Sequence, residues 1–362
     1  MIRYKKILLI LALALAFSSC ARSQHSRPSS RPNPKPKPKL FSFPDEWERH
    51  EGTIMIFPAQ HAYRQQAKAI QAEVAILANA IAKNEPVHMF VFPDDLAQAT
   101  KLLSSTIKVT VGEAYSVDWA RDTAPLIIRN ADGERRAVCF RFNGWGQKYR
   151  GWKQDTKVGV TIAKALKLPI VSSAFVMEGG AIEIGASAKG KTGILTASCV
   201  LNANRNGNGN SWPRAKVEQE LKSNLGIERI LWLDKGLVPD PITDGHVDGL
   251  LKFVKKNTVL LHTTDDKKDP NYAICKDAKK RLVAAGLKVI DLPLADDIVH
   301  MNFYIGSGAK HIYVPICGDP KQDQPALKIL RKLFASVIAI PAKAITEAGG
   351  GLHCVTQQIP QH

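Results

Sequence analysis

Closely spaced cysteine pairs are missing from this 362-residue sequence, and so is a third histidine or cysteine at convincing metal-ligand spacing. Their absence disfavours a structural zinc site, which is usually built from such pairs. No basic run interleaved with aromatic residues occurs beyond residue 44, which argues against nucleic-acid binding. With 45% hydrophobic and 23% charged residues, the composition is that of a globular protein and excludes disorder of the whole chain.

Acidic residues are absent from the first 44 positions, which hold nine of the 50 Lys and Arg residues. The net charge of +17 therefore falls to 17 − 9 = +8 for the remainder of the chain. Met1–Lys6 is basic, Ile7–Phe17 is apolar but short for a membrane span, and Ser18, Ser19 and Cys20 follow. This order is typical of a signal peptide.

The predicted signal peptide covers residues 1–20, and its end resembles a bacterial lipobox. Cys20 would then carry a lipid and anchor an exported protein at a membrane, facing the periplasm or the cell exterior. An uncleaved signal anchor is the alternative. Residues 21–40 are rich in Pro, Lys and Arg, which predicts an extended, solvated spacer. The folded domain is therefore expected over residues 41–362.

Strand-like runs outnumber helical patterns in the folded part of the chain. Ten runs predict strands, at 53–57, 87–92, 107–111, 126–129, 137–142, 229–233, 258–262, 288–292, 311–315 and 337–340. Six patterns predict helices, at 63–83, 96–103, 158–166, 215–224, 272–285 and 326–334. Pro213, Pro270 and Pro325 lie near the starts of three helices spaced about 55 residues apart, which indicates a repeated unit. We expect an α/β fold of small mixed sheets arranged as a propeller.

Cys354 follows three consecutive glycines, Gly349 to Gly351, near the end of the chain. Glycines let a backbone approach another group closely or adopt positive φ. A cysteine placed after such a bend can project into a cleft as a nucleophile. The alternative is a small buried apolar residue, which is what most free cysteines are. The other cysteines are widely spaced: Cys139, Cys199, Cys275 and Cys317. Cys139 and Cys275 lie in apolar runs that predict core positions.

Two segments combine acids or aromatics with small residues. In Asp118–Pro125, strand alternation would place Asp118 and Asp122 on one face, although a turn with a structural Asp–Arg pair is the alternative. In Phe142–Gln147, Trp145 stands between two glycines and either lines a pocket or packs in a turn.

Two further segments place ionisable residues beside glycine. Glu178 precedes Gly179 and a predicted strand, and is either a carboxylate in a cleft or a loop acid. His246 and Asp248 would share a face of a strand. They could bind a metal, act as a general acid–base with a carboxylate, or form a structural pair.

This set of residue types suits chemistry on a guanidinium group. Paired carboxylates match the forked donors of a planar guanidinium. A thiol supplies the nucleophile, and an imidazole supplies a proton for departing ammonia.

The chain resembles the agmatine deiminase family, a branch of the guanidino-group-modifying superfamily to which bacterial peptidyl-arginine deiminases are closely related. The resemblance extends from about residue 41 to 362 and rests on six motifs in family order: Pro44–Gly52, Trp119–Thr123, Phe142–Gly146, Glu178–Gly180, Thr243–Asp248 and Gly349–Gln358. It implies a five-bladed α/β propeller and a deiminase that needs no metal or organic cofactor.

The resemblance also implies a role for each matching residue. Cys354 matches the nucleophile, which forms a covalent thiouronium, and His246 matches the general acid–base. Asp122 and Asp248 match carboxylates that grip the guanidinium, and Glu178 matches the acid beside the histidine. Trp119 and Trp145 match pocket-lining positions.

Agmatine is the substrate that these motifs favour, with N-carbamoylputrescine and ammonia as products. The loop Lys148–Thr156 departs from the family pattern because it is short and basic, with Arg150 and Lys153, and would suit a substrate carboxylate. Together with the predicted export, this loop keeps peptidyl arginine or free arginine as an alternative substrate. A non-catalytic lipoprotein that binds guanidino compounds is an alternative of another class. The oligomeric state, including a homo-oligomer, is left open.

Overall fold

The computed structural model describes residues 40–112, 117–206 and 212–362. The predicted signal peptide, Cys20 and nearly all of the predicted spacer lie outside these ranges. Within them, no helix combines the length and apolar character that a membrane crossing requires.

Sixteen strands form five small sheets in the described part of the chain. The first sheet has the order β16-β1-β2-β3, with β1 at His50–Ile56, β2 at Val87–Val91, β3 at Lys108–Val111 and β16 at Gln357–Pro360. The second and third sheets contain β4 (Leu126–Arg129), β5 (Arg135–Arg141), β6 (Ile170–Val176), β7 (Ile182–Ser187), β8 (Gly190–Thr196) and β9 (Arg229–Leu233). The fourth and fifth contain β10 (Leu251–Lys255), β11 (Thr258–Thr263), β12 (Lys288–Pro293), β13 (Tyr304–Ile305), β14 (Ile312–Ile316) and β15 (Val337–Pro341).

Every sheet repeats one unit. Its first strand pairs antiparallel with the second, and a helix then crosses to a third strand that is parallel to the second. The crossing helices are Ala67–Ala82, Val158–Ala165, Arg214–Leu225, Asn271–Ala284 and Pro320–Leu333. An additional helix at Leu96–Leu102 leads to β3. The last strand, β16, is the first strand of the first unit, so the end of the chain completes the first sheet.

The helices cover the sheets through one apolar face. In the helix Arg214–Leu225, Val217, Leu221 and Leu225 are buried at a spacing of four residues and pack in one cluster with Trp232. This spacing places all three side chains on one side of a helix. Burial of each aliphatic side chain is worth roughly 1.5–3 kcal/mol, so this face fixes the helix against its sheet.

The first strands of the units lie in the interior of the ring, where β4 contacts β16 and β7 contacts β10. Each of these strands follows a segment that contains a polar motif. Asp122 precedes β4, Glu178 precedes β7, and Asp248 precedes β10. Asn302 precedes β13, and Cys354 precedes β16. The repeat therefore brings residues from all five units to the same end of the interior.

All ten predicted strands and all six predicted helices overlap observed elements, and the predicted propeller of mixed sheets agrees with the five repeated units. Six further strands lie outside the ten predicted runs: β6, β7, β8, β10, β13 and β16. Of these, β7 is the strand expected after Glu178 and Gly179.

The last helix was predicted over 326–334, but the observed helix starts six residues earlier, at Pro320. There the Asp319 side chain accepts a hydrogen bond from Lys321 N at 2.9 Å, and Pro325 lies inside the helix. The Asp-Pro pair is a good helix start because the aspartate caps the first turn and proline needs no donor there.

The predicted strand conformations at two motifs were wrong. Asp122 lies on the short helical turn Ala120–Thr123, and Asp248 lies on the 3₁₀ turn Val247–Gly249, which follows His246. Asp118 therefore does not share a face with Asp122. Its carboxylate accepts a hydrogen bond from Tyr63, and burial raises its pKa to about 6.

Candidate active site

Asp122 is held by donors from two other segments. Its Oδ1 accepts from Gly180 N at 2.9 Å, and its Oδ2 accepts from the indole of Trp145 at 2.9 Å. Trp145 reaches this position from a turn in which its φ is 52°, with glycines at φ 67° and 90° on either side. Burial raises the pKa of Asp122, and the neighbouring Asp248 and Glu178 add to this effect against the attraction of His246.

His246 lies between two carboxylates. Its Nδ1 is 3.8 Å from Asp122 Oδ2, and its Nε2 is 3.5 Å from Glu178 Oε2. Burial opposes a charge on the ring, but Asp122, Cys199 and Glu178 outweigh it and hold the pKa of His246 well above 6.5. The histidine is therefore protonated at neutral pH and can donate a proton.

Arg205 fixes the position of Glu178. Its Nε donates to Glu178 Oε1 at 2.8 Å, and its other nitrogens bond Asp244 at 2.9 Å and the carbonyl of Thr243 at 3.0 Å. Despite complete burial, the arginine and the histidine keep the pKa of Glu178 below its usual value. Glu178 therefore remains an anion next to His246.

Cys354 faces Asp248 from the last loop. Its Sγ is 3.6 Å from Asp248 Oδ2, and its backbone N donates to Asn302 Oδ1 at 3.1 Å. Burial and the charges of Asp248 and Asp122 raise the pKa of the thiol well above its usual value of 9. The free protein therefore holds the neutral thiol at physiological pH.

Asp248 is also the first of a series of buried ionisable residues that contact one another. His353 Nδ1 lies 2.9 Å from Asp248 Oδ2, and its Nε2 lies 3.0 Å from Glu46 Oε2. Each ring nitrogen of His353 therefore contacts a buried carboxylate. The fully buried Lys252 donates to the same Glu46 oxygen at 3.0 Å. Burial favours a neutral Asp248, but the bond and charge of His353 lower its pKa to about 2.

Glycines let these groups approach one another. A Cβ at Gly180 would lie 2.6 Å from His246 Nδ1 and 3.0 Å from an oxygen of each of Asp122 and Asp248, so these three side chains converge on one point. A Cβ at Gly350 would lie 2.3 Å from the Trp119 indole. Gly349 has φ 106°. Both uses predicted for the glycines before Cys354, close approach and positive φ, are thus observed.

The site opens into a cavity of about 480 Å³. Asp122 and Cys354 lie at its base beside Trp119 and Trp145. The exposed charged or titratable side chains on its wall are His61, Arg64 and Arg150. Asp122 is the one carboxylate among the described lining residues. The cavity is therefore acidic at its base and basic at its mouth.

Three buried groups could offer ligand atoms to a metal ion. The donor atoms of Glu178, Cys199 and His246 lie within 4.8 Å of one another. Arg205 already bonds Glu178 and lies 4.0 Å from Cys199 Sγ, so a fixed positive charge stands beside the three groups. A second cation would be repelled at this distance. The arrangement suits proton transfer better than metal binding.

The structure brings together every residue predicted for the site: Cys354, His246, Asp122, Asp248, Glu178, Trp119 and Trp145. Four supporting residues were given no role from the sequence: Glu46, Arg205, Asn302 and His353. Glu46 and His353 lie inside the motifs Pro44–Gly52 and Gly349–Gln358, but their partners are distant in sequence, so spacing could not show the contacts.

Comparisons with known proteins identify the family of the chain. The family described as Porphyromonas-type peptidyl-arginine deiminase matches residues 42–360. An agmatine deiminase of Stutzerimonas stutzeri is 34% identical over 365 residues, which cover 88% of this chain and 95% of the relative. The solved agmatine deiminase of Enterococcus faecalis is 27% identical, with a TM-score of 0.81 over 89% of this chain and 96% of that one.

A more distant structure, DDAH of Pseudomonas aeruginosa, shares the fold at 14% identity, with a TM-score of 0.50 over 86% of this chain and all of that one. The two chains therefore share the five-unit propeller fold. The chain belongs to the Porphyromonas-type peptidyl-arginine deiminase family and is a hydrolase that acts on C–N bonds.

Proposed function

We propose that the protein converts a guanidinium group to a ureido group and ammonia, with agmatine as substrate and N-carbamoylputrescine as product. One observation carries the reaction type: the partly buried thiol of Cys354 lies 3.6 Å from Asp248, while Asp122 and His246 converge on the same point. The choice of agmatine is supported by relatives of that name, which are 34% identical over most of their length.

The first half of the reaction forms a bond to sulfur. Asp122 and Asp248 bind the guanidinium nitrogens, and the Cys354 thiolate attacks the central carbon. The C–N bond to one nitrogen breaks as protonated His246 donates its proton to it, and ammonia leaves. The enzyme then carries a thiouronium on Cys354.

The second half uses water. Neutral His246, held by Glu178, takes a proton from water, and the resulting hydroxide attacks the thiouronium carbon. As the C–S bond breaks, the added hydroxyl loses its proton to solvent and the C=O bond forms. The neutral ureido product leaves, and the thiolate and the protonated histidine are restored. Glu178 stabilises the protonated form of His246 at the start and at the end of the cycle, because Arg205 keeps this carboxylate ionised.

Substrate binding itself promotes ionisation of the nucleophile. Asp248 and Asp122 raise the pKa of Cys354 in the free enzyme. A bound guanidinium offsets both negative charges, so the pKa of the thiol falls only when substrate is present. This coupling keeps the thiol unreactive toward neutral electrophiles between turnovers.

We expect Asp248→Asn to make the free thiol more reactive while abolishing deimination. Removing the negative charge 3.6 Å from the sulfur lowers the pKa of Cys354, so alkylation by iodoacetamide should reach its plateau at lower pH than in wild type. The measurement is the pH dependence of the alkylation rate, with Cys354→Ala to identify the labelled residue. An unchanged pH profile would show that Asp248 does not control this thiol.

His353 acts through Asp248 as a positioning residue. It joins this carboxylate to Glu46, and no other described cation bonds to Asp248. A hydrogen bond to a buried charged group is worth about 1.5–3 kcal/mol, which corresponds to a rate factor of about 10- to 100-fold.

His353→Gln should lower kcat for agmatine by about 10- to 100-fold. It should also move the acid limb of the pH–rate profile upward, because the pKa of Asp248, which His353 depresses to about 2, rises toward its ordinary value. Activity that requires ionised Asp248 is then lost at a higher pH as the solution is acidified.

The matched control for His353→Gln is His300→Gln, which breaks another buried histidine–aspartate contact, to Asp323 at 3.0 Å. This control should leave the acid limb in place. If both variants lose activity equally without a shift of the profile, His353 has only a structural role.

The basic mouth of the cavity favours a second candidate substrate. Arg64 and Arg150 would repel the distal amine of agmatine but attract the carboxylate of free arginine or of a peptide that ends in arginine. Arg150 belongs to the basic loop Lys148–Thr156, of which Lys148 is tied to Asp244 at 2.6 Å.

Ammonia release from agmatine, free arginine and a peptide with C-terminal arginine separates the two candidates. With agmatine as substrate, kcat/KM is highest for agmatine and rises in Arg150→Gln, because a repulsive charge is removed. The surface variant Lys343→Gln, outside the cavity, should change none of the three rates. A peptide rate that exceeds the agmatine rate and falls in Arg150→Gln would establish the second candidate instead.

We further propose that the protein is exported and carries a lipid on Cys20, which the order of basic, apolar and small residues before this cysteine supports. Cells labelled with palmitate should yield a labelled wild-type protein and an unlabelled Cys20→Ser variant, recovered from the membrane and the soluble fraction, respectively. An unlabelled wild type would refute lipidation.

A further inference from the structure

The end of the propeller opposite the site is rich in unpaired basic side chains. The first strand of each unit runs away from the site, so the turn that follows it lies at the far end. These turns follow β4, β7, β10 and β13, and the third strands begin at the same end because they are parallel to the second strands.

Asn257 joins the turns that carry one group of basic side chains at this end. Its backbone N donates to Ala186 O at 2.8 Å, its Oδ1 accepts from Ala188 N at 3.1 Å, and its Nδ2 donates to Gly286 O at 2.9 Å. These bonds hold the turns of the third and fourth units together. The side chains on these turns and the adjacent strand ends form the basal cluster: Lys189, Arg229, Lys255, Lys256 and Lys288.

The basal cluster is not neutralised. None of its five members makes an ion pair within the described residues, and all the lysines are exposed. Glu228 is the acidic residue beside it, and its carboxylate accepts from the backbone N of Lys191. A further cavity of about 420 Å³ at this end is lined by Arg49, Lys83, Lys310 and His311, among others.

Most carboxylates at this end are already paired. Glu48 bonds Arg129, Glu51 bonds Arg135, and Asp45 bonds Lys191. Glu85 is buried, and it accepts from Ser307 N and lies 3.5 Å from His50. The basal cluster and the residues around the 420 Å³ cavity therefore present a net positive surface. The loops at the site end, by contrast, carry exposed aspartates, including Asp94, Asp265, Asp266, Asp296 and Asp297.

We propose that this basic face docks on a membrane surface that contains anionic phospholipid headgroups. Leu40, where the described chain begins, lies at the same end and lines a cavity with Arg129 and His362. The residues that precede it carry the predicted lipid site at Cys20. A basic patch at the surface adds electrostatic attraction to anionic lipid beside any covalent anchor.

Such docking orients the enzyme. With its basic face on the lipid, the 480 Å³ cavity opens away from the membrane, toward soluble substrate. As an extended polyproline-type segment, the spacer of residues 21–40 would span about 60 Å, so a lipid on Cys20 would leave the basic face within reach of the headgroups. Nucleic acid is the less suitable polyanion, because the basal cluster contains no aromatic residue for base stacking.

The test uses full-length protein that carries Cys20→Ser, so that binding does not depend on lipidation. Its sedimentation is measured with vesicles of phosphatidylcholine, with and without phosphatidylglycerol. The basal variant combines Lys189→Gln, Lys255→Gln, Lys256→Gln and Lys288→Gln. The matched control combines Lys267→Gln, Lys268→Gln, Lys321→Gln and Lys343→Gln, which are exposed lysines at the site end. Both variants keep the basic N-terminal segment and lose the same charge.

We expect binding only to vesicles that contain phosphatidylglycerol, weakened about tenfold or more in the basal variant and within about twofold of wild type in the control. Unchanged ammonia release would show that both variants are folded. Equal weakening in the two variants would mean that total charge, and not this face, governs binding, which overturns the proposal. So would binding to a DNA duplex that is tighter than to the vesicles and is lost in the basal variant.

Discussion

The contact between a partly buried thiol and a buried carboxylate is the constraint on which the rest of the site depends. Cys354 and Asp248 are 3.6 Å apart, and the like charge that would arise on ionisation keeps the sulfur protonated until a cation arrives. Burial would raise the pKa of Asp248, but the bond to His353 and the positive charges around this carboxylate lower the pKa to about 2. On its other side His353 contacts Glu46, and Glu46 accepts from Lys252. Removing any one of these residues leaves a buried charge without its partner.

The propeller is well suited to such a site. Each unit delivers one short polar segment to the same end of the interior, and the first strands hold these segments close together. The five residues that touch or flank the reaction come from four units, and Asn302 comes from the fifth. Because these five polar segments are separate in sequence, each can carry a positive or a negative side chain toward the same point. The opposite end, formed by short turns, is free to carry a different charge and a different role.

The sequence predicted this architecture and the residues of the site, but not their connections. Hydrophobic runs in β4 and β9 are strong enough to fix their bounds, whereas β7 and β8 contain Gly, Ser and Thr that blur the alternation. Strand geometry was wrong at His246 and Asp248 because a two-residue spacing does not distinguish a strand from a 3₁₀ turn. Glu46 and His353 are 307 positions apart, so their contact follows only from closure of the ring.

The central claim is that Cys354 forms a covalent bond to the guanidinium carbon. It is tested most directly by acid-quenching the wild-type enzyme during turnover of agmatine and determining the mass of the peptide that contains Cys354. The account predicts an increase equal to the mass of agmatine less ammonia, which is absent in Cys354→Ala together with all turnover. An unmodified peptide, combined with continued ammonia release by Cys354→Ala, would contradict it.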